Sequence, residues 1–465
     1  MAPIADAMPS AGAPPVIPSS VPAPPKRRIS GLAIAVICAG VLASFLAVGT
    51  IVVGLMLRSA HTETRALAAH ETKVREKQSA QLQAAQRAAP VVREPTSVQT
   101  RPSVQTGPES GLTHTNVKVA TVPWSIHVLK IDRSQKDLTF FSAHAKNKVL
   151  AVSLITDQAQ AVPRELGIAV AGVNGDFYVR DTPAYAGDPR GLQIVNGDLI
   201  SAPDTVCVWF DLDGNPHLDE VKGDFNITWP DGSKTPFGLN QQRSSGMAVL
   251  YTPTYGPSTR ASGGRELILE KDGNNPWLPL HAGETYRARV REISTTGNTR
   301  LAPDAMVLSL GPQLLTKVPE ISAGSVLQIS TITTPDLKGV KAAIAGGPAI
   351  IKNGQPFSVK TAPPEVRSNY SERSKYERHP RSAVGWSPTH VYFVTVDGRQ
   401  PALSVGMKLA ELAEFMVELG CTDAMNLDGG KSAQLWFNGR LVNSAQVGED
   451  TVANSLLVVR RPKKQ

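Results

Sequence analysis

Cysteine is nearly missing from this chain: three residues in 465, at positions 38, 207 and 421. Thiols so few and so far apart build neither a disulfide framework nor a zinc cluster. Cys38 falls in an apolar run, and no spacing supports a bridge between Cys207 and Cys421, so two buried thiols are expected. Aromatic residues are also scarce, at 5%. None interleaves with a stripe of Lys and Arg, so the net charge of +8 does not mark a nucleic-acid partner. No Gly-x-x-x-x-Gly-Lys-Ser/Thr phosphate loop, Gly-x-Ser-x-Gly elbow or His-Glu-x-x-His helix occurs, and the chemistries built on those motifs are set aside. Of nine histidines, only His379 adjoins a polar cluster.

Charge is absent altogether from residues 29–57, a run of Ala, Val, Ile and Leu. Its length exceeds the roughly 20 residues needed to cross a hydrocarbon core and the roughly 7–15 of a signal-peptide apolar region. Lys26-Arg27-Arg28 precedes it and favours the cytoplasmic side, although Arg58 and Arg65 weaken the asymmetry. The expected arrangement is a Pro/Ala-rich disordered cytoplasmic tail over 1–28 and a transmembrane helix over 29–57, so that the bilayer is one partner. A polar helical stalk follows over 58–89, which holds no Gly or Pro, then a Pro/Ser/Thr linker over 90–115. The rest would be extracytoplasmic, periplasmic or at the cell surface.

From residue 116 the pattern changes. Short β-rich runs at 124–131, 138–142, 168–173, 206–210, 267–269, 285–293, 326–333, 391–396 and 456–459 alternate with Gly, Pro, Asn and Asp. Helical periodicity is clearest at 152–166 and 407–419. Hydrophobic residues are 41% of the chain and charged ones 19%, which supports a large core. Without a regular βαβ rhythm, residues 116–465 predict one α+β domain with a single mixed sheet and helices.

Four polar clusters end apolar runs: Asn174-Gly175-Asp176-Phe177-Tyr178; Gly346-Gly347-Pro348; Pro380-Arg381-Ser382-Ala383-Val384-Gly385 with Val396-Asp397-Gly398-Arg399; and Asn426-Leu427-Asp428-Gly429-Gly430-Lys431-Ser432. Each alone reads equally as a turn, since Asn-Gly and Asp-Gly are strong turn formers. After the last comes an alternating run, 433–437, and Asn438-Gly439, which predict a hairpin. Glycines at 429 and 430 let backbone N–H groups approach a ligand, with Asp428, Lys431 and Ser432 around it.

Together with Tyr251-Thr252-Pro253, Gly256, Thr259 and Ser404-Val405-Gly406-Met407, these clusters resemble, in order and joint presence, the phosphodiester glycosidases, a family with bacterial exopolysaccharide-biosynthesis-like relatives. The resemblance covers about 120–460. Lys431 departs from it, because the family usually has a small residue there. The resemblance implies hydrolysis at the anomeric carbon of a sugar held through a phosphodiester, with a glycan or sugar-phosphodiester as substrate. A phosphate leaving group whose last ionisation lies near pH 6 needs charge stabilisation more than protonation, and one carboxylate must attack or activate water. Arg381, with Lys431, is expected at the phosphate, with Gly429 and Gly430 as backbone donors and Gly347, Arg399 and Ser432 lining the substrate. Asp176 and Asp428 are expected as nucleophile or base, Asn174 and Asn426 at sugar hydroxyls, and Asp397 either reacting or orienting Arg381 or Arg399. No cofactor is required by this scheme, though several Asp and Asn side chains could hold Ca²⁺ or Mg²⁺. The rival expectations are an anchored, non-enzymatic protein of polysaccharide binding or assembly, and a phosphoesterase cutting the P–O bond.

Overall fold

The computed structural model describes residues 103–106, 111–203, 205–356, 376–445 and 448–462. The expected tail, membrane span and stalk lie outside the described residues. Among the described residues no helix is long and apolar enough to cross a membrane. Part of the expected linker, by contrast, is sheet: strands Ser103–Thr106 and Leu112–Val119 pair with each other, and the second pairs with Trp124–Asp132. The alternating Thr, His and Val of Leu112–Val119 suit a half-buried pleat better than a linker.

The α+β expectation gives way to a β-rich fold. Among the described residues there are an eight-stranded sheet, two five-stranded sheets and a closed seven-stranded barrel. Pairing is antiparallel almost throughout; Lys234–Leu239 and Ala248–Tyr251 pair in parallel. The two expected helices exist but are short. The first is only Ile155–Gln160, since Pro163 cannot continue it. The second, Leu409–Glu418, buries Leu409, Leu412, Ala413 and Met416 at helical spacing, and Gly420 with φ +83° lies just beyond its end.

The apolar runs read from the sequence became strands nearly residue for residue, among them Trp124–Asp132, Ile168–Asn174, Val206–Phe210 and His390–Val396. The Asn438-Gly439 hairpin also formed, with Phe437 opposite Arg440 and both turn residues at positive φ. The barrel was not visible. Its strands are drawn from Lys222–Thr228 through Val326–Thr334, and these two terminal strands pair to close it. Such closure joins residues about a hundred positions apart, beyond the reach of local periodicity.

The site is positioned by two sheets packed face to face. From the eight-stranded sheet come Leu129, Ile131, Val384, Trp386, Phe393 and Met425; from the facing sheet come Val173, Leu435, Phe437, Leu456 and Val458, all in one buried cluster. Each such side chain contributes roughly 1.5–3 kcal/mol on burial, so the relative placement of the two sheets is firmly held. Cys207 and Cys421 are both free and buried.

Candidate active site

Strand Ile168–Asn174 lies inside the five-stranded sheet, between Leu435–Phe437 and Asn454–Arg460. Strand Asp423–Asn426 lies inside the facing sheet, between Arg381–Trp386 and Ala349–Lys352. Asp176 and Asp428 each stand two residues beyond the end of one of these strands. The ends are stitched together: the Asp428 N–H donates to the Gly175 carbonyl at 2.9 Å, and the Asn174 amide donates to the Asp428 carbonyl at 2.7 Å. The Asn174 side-chain oxygen accepts from Ser382 Oγ at 2.6 Å and from the Gln434 N–H at 3.0 Å. Asn174, expected at a sugar hydroxyl, is therefore a buried clamp between the two sheets.

Asp176 is buried. Its carboxylate accepts from the N–H groups of Phe177 and Gly191, at 2.7 and 2.8 Å. Burial pushes its carboxyl up to about 7; these backbone donors oppose the rise, and the charge of Asp428 adds to it. Gly191 is needed where it stands, because a Cβ there would meet the Ala345 Cβ at 2.4 Å and Asp176 Oδ2 at 3.5 Å. Asp428 is half-buried. Burial pushes it up to about 6, and the Ser432 hydroxyl, Arg180, the Gly429 N–H and Arg190 pull back toward the ionised form. Two carboxyls raised toward neutrality and coupled by charge are the arrangement expected of groups that exchange protons at ordinary pH.

The cations beside this pair are not those expected from the sequence. Arg180 donates to Ser432 Oγ at 3.0 Å and to Asp450 Oδ2 at 3.4 Å, with its guanidinium 5.2 Å from the Tyr178 ring centre. Arg190 is exposed and acts on Asp428 by charge. Both belong to the loop that follows Tyr178, and only the short step from Tyr178 to Arg180 could have suggested either. Arg381 is 2% exposed. Its guanidinium donates to the carbonyl oxygens of Met407 at 2.9 Å and Glu377 at 3.1 Å, so the expected phosphate clamp is a buried brace.

Asp397, expected either to react or to orient Arg381 or Arg399, is buried. Its carboxylate faces His127 Nε2 at 3.2 Å and accepts from the Asn443 amide at 3.3 Å. Asn443 in turn donates to the Ala433 carbonyl and accepts from the Leu435 N–H, so Asp397 supports the segment just after Ser432 through Asn443. Arg399 is exposed, with its guanidinium 3.4 Å from where a Cβ on Gly430 would lie. Lys431 is exposed on the short turn Gly430–Ser432. The expected backbone donors are already engaged: Gly429 N–H with Asp428 Oδ1 at 2.8 Å, and Gly430 N–H with the Pro380 carbonyl at 3.0 Å. Asn426 is buried and donates to the Gly347 and Leu427 carbonyls. Gly347, at φ +134°, has open space where a Cβ would go. Among the described residues no group of three or more His, Cys, Asp or Glu side chains gathers as a metal set.

Paired, partly desolvated carboxyls with arginines beside them thus stand at the joined ends of two packed β-sheets on a β-rich scaffold. Residues 286–459 match the phosphodiester glycosidase family model, so the family resemblance drawn from the motifs holds for that region. The matched stretch contains Arg381, Asp397, Arg399 and Asp428; Asn174 and Asp176 precede it. A hypothetical protein from Synechocystis shares the fold at a TM-score of 0.62 and 19% identity, over 78% of this chain and 64% of that one. An exported protein from Burkholderia pseudomallei, described as putative, does so at 0.56 and 22%, over 73% and 74%. An uncharacterized SPbeta prophage-derived protein of Bacillus subtilis, YomE, is 28% identical over 126 residues, which is 27% of this chain and 18% of that protein.

Proposed function

We propose that this protein is a phosphodiester glycosidase that hydrolyses a sugar-1-phosphodiester at its anomeric carbon, with Asp428 as the reacting carboxylate. The observation that carries the reading is the Asp176–Asp428 pair set against Arg180 and Arg190. Asp428 has the accessible edge and the lower carboxyl range of the two, so it is the group ionised first and able to reach substrate. Water attacks the sugar carbon as the bond from that carbon to the phosphate oxygen breaks. The electron pair leaves with the phosphate monoester, and the water proton passes to Asp428. Arg180 and Arg190 offset the charge that develops on the phosphate. Asp176, the buried member of the pair, keeps its proton below about pH 7 and so limits the negative charge facing the substrate. The uncharged run at 29–57 would tether the domain to the outer face of a membrane, which makes envelope or extracellular glycans the accessible substrates.

Hydrolysis of a sugar-1-phosphodiester in heavy-oxygen water tests the reaction. Label should appear in the sugar; label in the phosphate would instead make the protein a phosphoesterase. Arg180→Gln is expected to lower kcat/KM on the phosphodiester by roughly ten- to a hundredfold, with a much smaller effect on a neutral aryl glycoside of the same sugar. Equal losses on both substrates would remove Arg180 from the phosphate.

The pH profile carries a further expectation. Asp428 must be ionised, so activity should climb as pH rises through about 6. The proton on Asp176 is lost through about 7, so activity should fall above that. A rate that stays level from pH 5 to 8 would show that neither carboxyl titrates in the reaction.

A further inference from the structure

Beside the 188–191 segment, whose Gly191 N–H meets the Asp176 carboxylate, lies a cavity of about 270 Å³ lined by Asp188, Arg190, Ser201, Ala202, Leu239 and Gln241 among others. One backbone segment therefore serves two spaces. Its Gly191 N–H bonds Asp176 and its Arg190 N–H bonds the Phe177 carbonyl at 3.0 Å, while Asp188 and Arg190 line the cavity. Arg190 lines the cavity and also acts by charge on both Asp428 and Asp188, so one cation serves the reacting carboxylate and the cavity. Leu239, at the end of a barrel strand, and Gln241 just beyond it line the cavity together with Ser201 of the strand Asp198–Ser201.

Resting on the function proposed above, we infer that this cavity is the subsite for the alcohol on the far side of the phosphate, and that it takes a compact hydroxylated group of polyol or single-sugar size. A phosphate held at Arg190 has one ester arm directed to the sugar beside Asp428, and its other arm continues past Arg190 into the cavity. The volume falls below the roughly 300–1,000 Å³ of sites for drug-sized ligands, which sets aside long or bulky groups. The wall chemistry sets aside purely apolar ones. The Gln241 amide can both donate and accept, and Ser201 Oγ, whose proton goes to the Gly191 carbonyl at 2.6 Å, still has lone pairs to accept with. Burial pushes the Asp188 carboxyl up to about 7, so near neutrality much of it is a donor to a hydroxyl rather than a second anion facing a phosphate.

Binding to the full 465-residue chain tests this without requiring turnover. The probes are glycerol phosphate, methyl phosphate and hexyl phosphate, titrated by calorimetry. Wild type should bind glycerol phosphate roughly tenfold more tightly than either of the others. Ala202→Leu, which fills the cavity, and Gln241→Leu, which removes its amide, should each erase that preference while leaving methyl phosphate affinity unchanged. Equal binding of glycerol and methyl phosphate by wild type overturns the subsite, as does tighter binding of hexyl phosphate, or a preference that survives both substitutions. Failure of the glycosidase reading looks different: the binding preference would persist while no sugar is released from a sugar-1-phosphoglycerol diester.

Discussion

Asp428→Asn should reduce sugar release from a phosphodiester substrate by roughly a thousandfold or more, with the fold unchanged. Removal of a general base or nucleophile that the reaction depends on costs about 10²–10⁴ or beyond, and Asn is close in shape but neither accepts a proton nor attacks carbon. The substitution should also alter stability in a pH-dependent way, which separates a catalytic role from a structural one. The carboxyl ordinarily titrates at 3.8 and is raised to about 6 in the folded protein, so the native state holds this proton more tightly than the unfolded chain does. Relative to a neutral side chain, the aspartate therefore weakens folding as pH climbs from about 4 through about 6, with the full penalty present above that. The Tm of Asp428→Asn should exceed that of wild type by more at pH 8 than at pH 4. Full turnover in the variant would remove Asp428 from the reaction, and a Tm difference that is the same at both pH values would mean its carboxyl is not raised.

Arg381→Ala is the second large expectation, and it concerns the fold. The guanidinium is buried and donates to two backbone carbonyls, those of Met407 and Glu377. Hydrogen bonds from a charged group contribute about 1.5–3 kcal/mol each, and truncation also leaves those carbonyls and a cavity in the interior. A loss of roughly 3–5 kcal/mol is expected, read as a fall in Tm or in the denaturant midpoint. Whatever activity survives should fall equally on phosphodiester and neutral aryl substrates. A variant of normal stability that fails only on the phosphodiester would return Arg381 to the phosphate. Arg180→Gln is the converse case, with a small stability change and a substrate-dependent loss. The pair of variants therefore decides which arginine meets the phosphate.

Much was legible locally. Runs of β-branched residues bounded by Gly, Pro and Asn became strands because a pleated strand states its period within a few residues. Helix Leu409–Glu418 and the Asn438-Gly439 hairpin followed the same logic. Asp176 and Asp428 could be picked out because each is a carboxylate placed two residues beyond an apolar strand. Asn174 and Arg381 stand in equally conspicuous motifs, yet their side chains bond to the chain itself. A motif shows that a residue is constrained and leaves open whether a substrate or the backbone constrains it.

The sequence by itself determined the β-rich runs, the resemblance to phosphodiester glycosidases and the place of Asp176 and Asp428 just beyond apolar strands, because each is written in neighbouring residues. Tertiary structure decided the closed barrel, the joining of Asp176 to Asp428 by the Gly175 and Asn174 bonds, and the turning of the Arg381 guanidinium toward backbone carbonyls while Arg180 and Arg190 act by charge on Asp428. The physical reason is distance along the chain. Asp176 and Asp428 are brought together by two sheets whose apolar faces must cover one another. The direction in which a guanidinium turns depends on carbonyls and hydroxyls delivered by segments that local spacing cannot locate.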